Sequence, residues 1–358
     1  MNKVIIFGTG DYYQTKEDSI KKTYEVIGYI DNKIKNNQIG KFNSLDVMNP
    51  TDVNGIDEEA YVLIASGKIV EMYQQLHAIG VNDARIIIGT NFSPAYDAIE
   101  KKLQQKDCMI RGQDGAIIIT IDKEEVCFVE ENDYKKWLRK FMLDDDPVAQ
   151  MIKNAPHTPV SRRFGAEMGT PIDRIYIQKF LRENEECICG DIVEIGDLRY
   201  TREYGHDIHS AYAMHVDGWG NNTIKGNLET GEGIVEATVD CLICTQTIQH
   251  ISDTTACIKN IWKMLKPSGT ALITNGFLTE ISLYSYKNWG EFWRFSDQGI
   301  KNWLEREFKA ENISVCAYGN VKTAMAFFYG LCAEELSKED FDINDQQYQI
   351  TVCAKVIK

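Results

Sequence analysis

The stretch Asp191-Ile192-Val193-Glu194-Ile195-Gly196 puts a carboxylate inside an apolar, strand-like run and a glycine where that run must turn. A strand ending in a glycine turn at a helix start lets backbone N–H groups approach a charged ligand. Leu198 and Tyr200 stand where a glycine-rich turn would carry its next two glycines, so the turn is altered. Farther along, Thr245 and Gln246 close a second apolar run, and Gln249 and His250 follow it. A neutral imidazole beyond a strand end can take the proton of an attacking hydroxyl, which makes His250 the candidate base.

A second constellation opens the chain. In FGTGDYY, Gly8 and Gly10 follow an apolar run, and Asp31 closes the next run in VIGYIDN. Glycines that admit a diphosphate and a carboxylate placed for ribose hydroxyls are the logic of dinucleotide binding. Tyr13 occupies the third glycine's place, so the helix must stand off the strand, which weakens a reading as a nucleotide-sugar oxidoreductase. With IASG at 64–67, this stretch resembles the small Rossmann-like N-terminal domain of bacterial sugar-tailoring enzymes, including some sugar acyltransferases. The resemblance implies a nucleotide or nucleotide-linked sugar at Gly8, Gly10 and Asp31, or a domain that serves only as a scaffold.

The elements that must position these residues alternate. Apolar runs at 4–7, 26–30, 61–65 and 85–88, with helical patterns from about Tyr13 and from Ile69 to Ile79, predict a parallel α/β sheet over residues 1–90. Residues 91–146 predict a helix from about Ser93, a hairpin at 116–121 and 126–129, and a helix carrying Tyr134, Trp137 and Phe141. Asp144-Asp145-Asp146-Pro147 then breaks the pattern, and 147–358 reads as a second α/β unit. Its strands are expected at 192–195, 211–216, 240–245, 270–274, 313–317 and 350–356, with helices at 147–153, 172–185, 254–265 and 300–308.

Asp240 to Asp253, the helical stretch to Leu265, and Leu265-Lys266-Pro267-Ser268-Gly269 before Thr270 to Thr274 resemble the fourth strand, helix and fifth strand of class I S-adenosylmethionine-dependent methyltransferases. Pro267 is expected to stop the helix and Gly269 to supply the positive φ. Pro159 to Gly165, Gly169 to Arg174 and Phe292 to Ser296 look like a subgroup associated with bacterial glycan systems. The resemblance implies a doubly wound sheet with S-adenosylmethionine as cofactor. It places Glu194 and Gly196 in the cofactor turn, with Asp197, Tyr200, Thr201 and Arg202 replacing bare backbone contacts to the methionine carboxylate. Asn227 and Leu228 would lie near the adenine, the Asn227 carbonyl accepting from its amine, and Thr245 and Gln246 would complete the cofactor set. The rival implication is a non-catalytic scaffold or nucleotide-sugar binding protein with a degenerate methyltransferase fold.

For the acceptor, Gln249, Trp289, Trp293 and Arg294 combine aromatic faces with a cation, and Arg162, Arg163 and Arg174 could grip an anionic group. Asp253 reads as a helix cap. His206, Asp207, His209 and His215 are rich in ligand atoms, but only His209 and His215 share strand parity, and no metal site is expected. Cys241 and Cys244 point to opposite sheet faces, which favours buried reduced thiols.

A chain of 358 residues with 44% hydrophobic and 26% charged residues is a multidomain globular protein. Its net charge of −14 argues against nucleic acid, and it holds no apolar run of membrane-spanning length. MNKVIIFGTG begins without a secretory apolar region, so the cytoplasm is the expected location. The expectation is thus methyl transfer to a small acceptor, a sugar or nucleotide-linked sugar in glycan biosynthesis, with a homo-oligomer left open.

Overall fold

The structure, a computed structural model, describes residues 1–35, 38–88, 102, 106, 108–218, 220 and 222–358, and of residue 54 the backbone alone. The helix expected from about Ser93 lies outside the described residues. The chain divides into two compact units, Met1–Ala155 and Pro156–Lys358, so the helix that begins at Pro147 goes with the first.

In the first unit, β1 (Asn2–Phe7), β2 (Tyr24–Ile30), β3 (Gly40–Phe42), β4 (Leu45–Met48), β5 (Tyr61–Ile64) and β6 (Ile86–Ile88) form one sheet in the order β3-β4-β2-β1-β5-β6. All neighbours are parallel except β3 and β4, joined through Asn43 and Ser44, both at positive φ. Tyr13 explains the missing third glycine. It is fully buried, packs edge-on to Tyr29 and Phe42, and shares a 3.0 Å hydroxyl–hydroxyl hydrogen bond with Tyr29. A large ring there props the chain off the sheet, and the expected helix is split into α1 (Asp11–Gln14) and α2 (Glu17–Thr23).

The same unit carries an antiparallel sheet of β7 (Met109–Gln113), β8 (Ala116–Ile121) and β9 (Glu124–Phe128). Helix α3 (Ile69–Ala78) buries Ile69, Val70, Tyr73 and Leu76 in one core with Ile117 and Ile119 of β8. Helix α4 (Glu131–Leu143) follows, and its Glu131 carboxylate accepts from the Val70 and Glu71 N–H groups at 2.9 and 3.2 Å, satisfying orphan donors of α3's first turn. Helix α5 (Pro147–Asn154) begins with the Asp146 side chain accepting from Ala149 N–H.

The second unit opens its ordered core with α6 (Ile172–Arg182) and β10 (Gly190–Ile195), then α7 (Arg199–Tyr204), β11 (Ile208–His215), β12 (Thr223–Lys225), β13 (Val239–Thr245), α8 (Thr254–Met264) and β14 (Leu265–Gly276). It ends with α9 (Leu283–Asn288), α10 (Asp297–Leu304), β15 (Ile313–Tyr318), α11 (Val321–Tyr329), α12 (Lys338–Asp342) and β16 (Thr351–Ile357). The seven strands lie in the order β12-β11-β10-β13-β14-β16-β15, with β16 antiparallel to both its neighbours and the rest parallel. β10 and β13 are adjacent, and the order runs outward from them in both directions. That is a topological switch point, beyond whose carboxyl ends open α/β sheets bind ligands.

Each sheet face has its own core, and β13 feeds both. Cys241 and Ile243 join the layer under α6 and α11, while Leu242 and Cys244 join the layer under α8 and α10. None of the ten cysteines is disulfide-bonded. At the start of β14 the positive φ falls on Ser268 (φ +66°), not on Gly269. Gly269 is needed for a different reason: a Cβ there would lie 2.9 Å from the carbonyl oxygens of Lys266 and Val239. Among the described residues no helix is long and apolar enough to cross a membrane.

Candidate functional site

A cavity of about 520 Å3 opens beyond the carboxyl ends of β10, β11, β13 and β14. Ile195 and Gly196 bring it the end of β10, His215 the end of β11, and Thr245 and Gln246 the end of β13. Gly196 has φ +94°, its N–H donates to Met214 O at 3.0 Å, and a Cβ built on it would meet nothing within 4 Å. The backbone there is bare toward the cavity.

Glu194 is not in the wall. It is 2% exposed and lies beneath the turn, where Oε1 accepts from Tyr200 N–H at 3.0 Å and Oε2 from Thr201 N–H and Oγ1 at 2.8 and 2.7 Å. Burial pushes its carboxyl up by more than these hydrogen bonds pull it down. Leu198, Tyr200 and Thr201 are buried, with Tyr200 in the core beside Tyr204, and the exposed Asp197 accepts from Arg199 N–H at 2.7 Å. Glu194 and Thr201 therefore face each other beneath the turn and lie outside the cavity wall. Their polar atoms start α7, and the side chains standing for the two missing glycines pack inward.

The guanidinium in the wall is that of Arg174, on α6. It lines the cavity next to Asp173 and interacts with Tyr200 and Asp197. The Asp173 charge holds the guanidinium firmly protonated, while burial pushes the Asp173 carboxyl up, and Asp173 Oδ1 has no partner. Arg162 and Arg163 are exposed and lie outside the wall. Asn227 and Leu228 do line it, but the Asn227 carbonyl expected to accept from an adenine amine already accepts from Glu229 and Thr230 N–H at 2.7 and 3.1 Å.

Opposite the turn, Gln246 sits at φ +48°, a conformation costly for a side-chain-bearing residue, held by its N–H bond to Thr274 O at 2.9 Å. The Gln249 amide donates to Gln246 Oε1 at 2.9 Å, which leaves Gln249 Oε1 and Gln246 Nε2 buried without partners, and both residues line the cavity. His250 Nδ1 is 3.0 Å from Gly290 O. A carbonyl only accepts, so Nδ1 carries the hydrogen and Nε2 keeps the lone pair. Trp289 lines the cavity with its ring 6.2 Å from that of His250. Trp293 instead donates Nε1–H to Ile251 O, and Arg294 bonds to the Trp293 and Glu280 carbonyls and to Glu291, so both brace the segment from outside the wall. Asp253 caps α8 through Ala256 N–H. Asp173, Glu280 and Glu291 are wall residues outside the expected set, and Arg174 is the one of the three expected arginines that reaches the wall.

The histidine-rich stretch does not converge. β11 separates His209 and His215 by six residues, about 20 Å along a strand. His209 meets Asp191 and Asp240 at the opposite end of the sheet, where Lys266 Nζ is 2.7 Å from both carboxylates. In the first unit, Gly8, Gly10 and Asp31 line a separate cavity of about 340 Å3 with Lys33 and Lys68. Asp31 accepts there from Thr9 N–H, Thr9 Oγ1 and Lys33 N–H at 3.1, 2.8 and 2.9 Å.

Residues 189–273 match the family model described as a methyltransferase domain, and residues 1–87 match the one described as C2185-like, N-terminal. No curated protein matches the chain. Among solved structures it is similar to a SAM dependent methyltransferase from Archaeoglobus fulgidus (12% identity, 52% of this chain and 94% of that one, TM-score 0.34). It is also similar to the N-methyltransferase NodS from Bradyrhizobium japonicum WM9 in complex with S-adenosyl-L-homocysteine (13%, 60% and 99%, 0.34). Residues 189–273 of the second unit thus match a methyltransferase domain on a doubly wound sheet, and S-adenosylmethionine is the cofactor that this match implies.

The wall suits that cofactor. The bare turn at Gly196 and the unpartnered polar atoms of Asp173, Gln246 and Gln249 offer backbone and side-chain groups to a polar ligand.

Proposed function

We propose that the chain transfers the methyl group of S-adenosylmethionine to a small acceptor, a sugar or nucleotide-linked sugar of glycan biosynthesis, in the cytoplasm. The observation that carries this reading is His250, whose Nδ1–H is tied to a carbonyl so that Nε2 stands ready as an acceptor in the same cavity as the Gly196 turn. In the proposal the Gly196 backbone, Leu228, Thr245 and Gln246 hold the cofactor, and Arg174 takes its carboxylate in the place first given to the α7 hydroxyls. Bound there, the cofactor supplies an electrophilic methyl group on a sulfonium. His250 removes the acceptor's proton, Trp289 offers a face to its ring, and Gln249 holds its polar edge.

In the first unit, Gly8, Gly10 and Asp31 are proposed to hold a nucleotide or nucleotide-linked sugar. Asp31 already accepts three hydrogen bonds from its own chain, which favours a second reading for that unit, in which it is a scaffold.

Isothermal titration with S-adenosylmethionine and S-adenosylhomocysteine tests the main reading. Glu194→Ala would confuse it by loosening the turn, so Gly196→Val is the informative variant, because its side chain would enter the cavity. Saturable binding lost in Gly196→Val, in a chain whose circular dichroism is unchanged, is expected. No heat and no thermal shift at millimolar ligand would leave a scaffold as the better account.

A further inference from the structure

The acceptor end of the cavity is built from the segment after β14, and its charges are one-sided. Around the whole wall four carboxylates, Asp173, Glu229, Glu280 and Glu291, face one guanidinium, Arg174. Glu291 is the telling member. Its side chain is 4% exposed, Oε1 receives Arg294 at 2.8 Å, and Oε2 has no partner. Gln249 Oε1 is a second buried acceptor with no donor. Glu280 adds another carboxylate close by; burial pushes it up, with Glu167 and Glu291 acting in the same direction against Phe164 N–H and Arg162. The nearby Arg294 supplies nothing more to the cavity, since its guanidinium is engaged by Glu291 and two carbonyls.

Buried acceptors without donors are costly, so the ligand is expected to bring the missing N–H groups. A hydroxyl brings a single hydrogen and two lone pairs of its own. An ammonium brings three hydrogens and a positive charge, and it is also attracted to an indole face such as that of Trp289.

We propose that the acceptor's nucleophile is an amine, bound as an ammonium by Glu291, Glu280 and Gln249 Oε1 against Trp289. This rests on the methyl-transfer reading and narrows it from any small acceptor to an amino-bearing one, such as an amino sugar. The ammonium passes one proton to His250 Nε2. The freed nitrogen lone pair then forms the N–C bond to the methyl carbon of the sulfonium donor, as the C–S bond breaks and its electron pair stays on sulfur. The product is a methylated ammonium and a neutral thioether.

The test uses the full chain saturated with S-adenosylhomocysteine, titrated with glucosamine, glucose and N-acetylglucosamine, which share a ring and differ at one substituent. Glucosamine is expected to bind at least tenfold more tightly than the other two. Glu291→Gln should bring that ratio near one without changing affinity for S-adenosylhomocysteine, and Glu280→Gln, in a more accessible position, should lower it several-fold. With S-adenosylmethionine, mass spectrometry should locate the methyl group on nitrogen. An equal response to all three sugars, including none to any, or a preference untouched by both variants, overturns the proposal. Failure of S-adenosylhomocysteine itself to bind would instead overturn the methyl-transfer reading.

Discussion

The two glycine turns of this chain are built alike and open differently. Each follows a central strand, each has its first glycine at positive φ (Gly8 +103°, Gly196 +94°), and each glycine N–H donates to a carbonyl ending the neighbouring strand. In both, a carboxylate gathers a threonine's N–H and hydroxyl: Asp31 from Thr9, Glu194 from Thr201. The difference lies in what surrounds the glycine. A Cβ on Gly8 would lie 2.9 Å from Ala65 O, whereas one on Gly196 would meet nothing within 4 Å. Gly8 is required by packing against the next strand, while Gly196 leaves room for a ligand. The same local grammar therefore serves a glycine packed against the next strand in one unit and a glycine with open space above it in the other.

If that contrast is right, chemistry belongs to the second unit. His250→Ala should lower methyl transfer by about 10²–10⁴-fold with cofactor affinity kept, the usual loss for a general base. Substitution of Lys33 or Lys68 in the first cavity should change turnover number by less than a few-fold. Radiolabel transfer at saturating acceptor measures both, and a turnover loss at Lys33 as large as that at His250 would break the contrast. Next in size is the glycine pair. Gly8→Ala adds a backbone clash to positive-φ strain and should cost about 2–4 kcal/mol in denaturant unfolding without altering S-adenosylhomocysteine affinity. Gly196→Ala should cost about 1–2 kcal/mol, the strain alone, but weaken S-adenosylhomocysteine more than tenfold by calorimetry.

The fold was legible where burial leaves a simple pattern. β13 is covered on both faces and reads as one apolar run, and Tyr13 could be seen to forbid close helix packing before its partners were known. Short strands escaped because their determinants lie elsewhere: β7 tolerates Arg111 and needs Gly112 because a Cβ there would collide with the Tyr73 ring. The β3–β4 hairpin turns through Asn43-Ser44, without the glycine that usually marks such a turn. For the site, strand ends were readable, which is why Gly196, Thr245, Gln246 and His250 share a cavity. Glu280 and Glu291 follow a strand far downstream, and no spacing rule says that a loop will fold back over the mouth. The roles within the α7 turn were also hidden, since side chains that could donate to a ligand are identical in sequence to side chains that cap a helix.

The carboxylates beneath the turns sharpen the contrast further. Glu194→Ala strands the Tyr200 and Thr201 N–H groups in a buried setting and should cost about 1.5–3 kcal/mol in denaturant unfolding. Asp31→Ala should cost less, because that carboxylate is at the cavity edge, where water can replace it. Equal losses would mean that the first turn is as sealed as the second.

The smallest effect expected is a difference of sign. Burial pushes the Asp31 carboxyl up, but the Lys33 and Thr9 hydrogen bonds together take it below its ordinary value of 3.8. Its stabilisation is then complete above pH 3.8 and is lost as pH falls through the folded value. For Glu194 burial wins, the carboxyl lies above its ordinary 4.5, and its contribution is complete below pH 4.5 and is lost as pH rises through the folded value. Acidification should therefore loosen the first turn while tightening the second. Hydrogen exchange read by mass spectrometry, on peptides covering residues 7–16 and 194–205 between pH 3 and 6 and corrected for intrinsic rates, can resolve the two. Asp31→Asn should flatten the first profile and Glu194→Gln the second. Profiles that run in the same direction would show that water reaches Glu194, and that the second turn is open beneath as well as above.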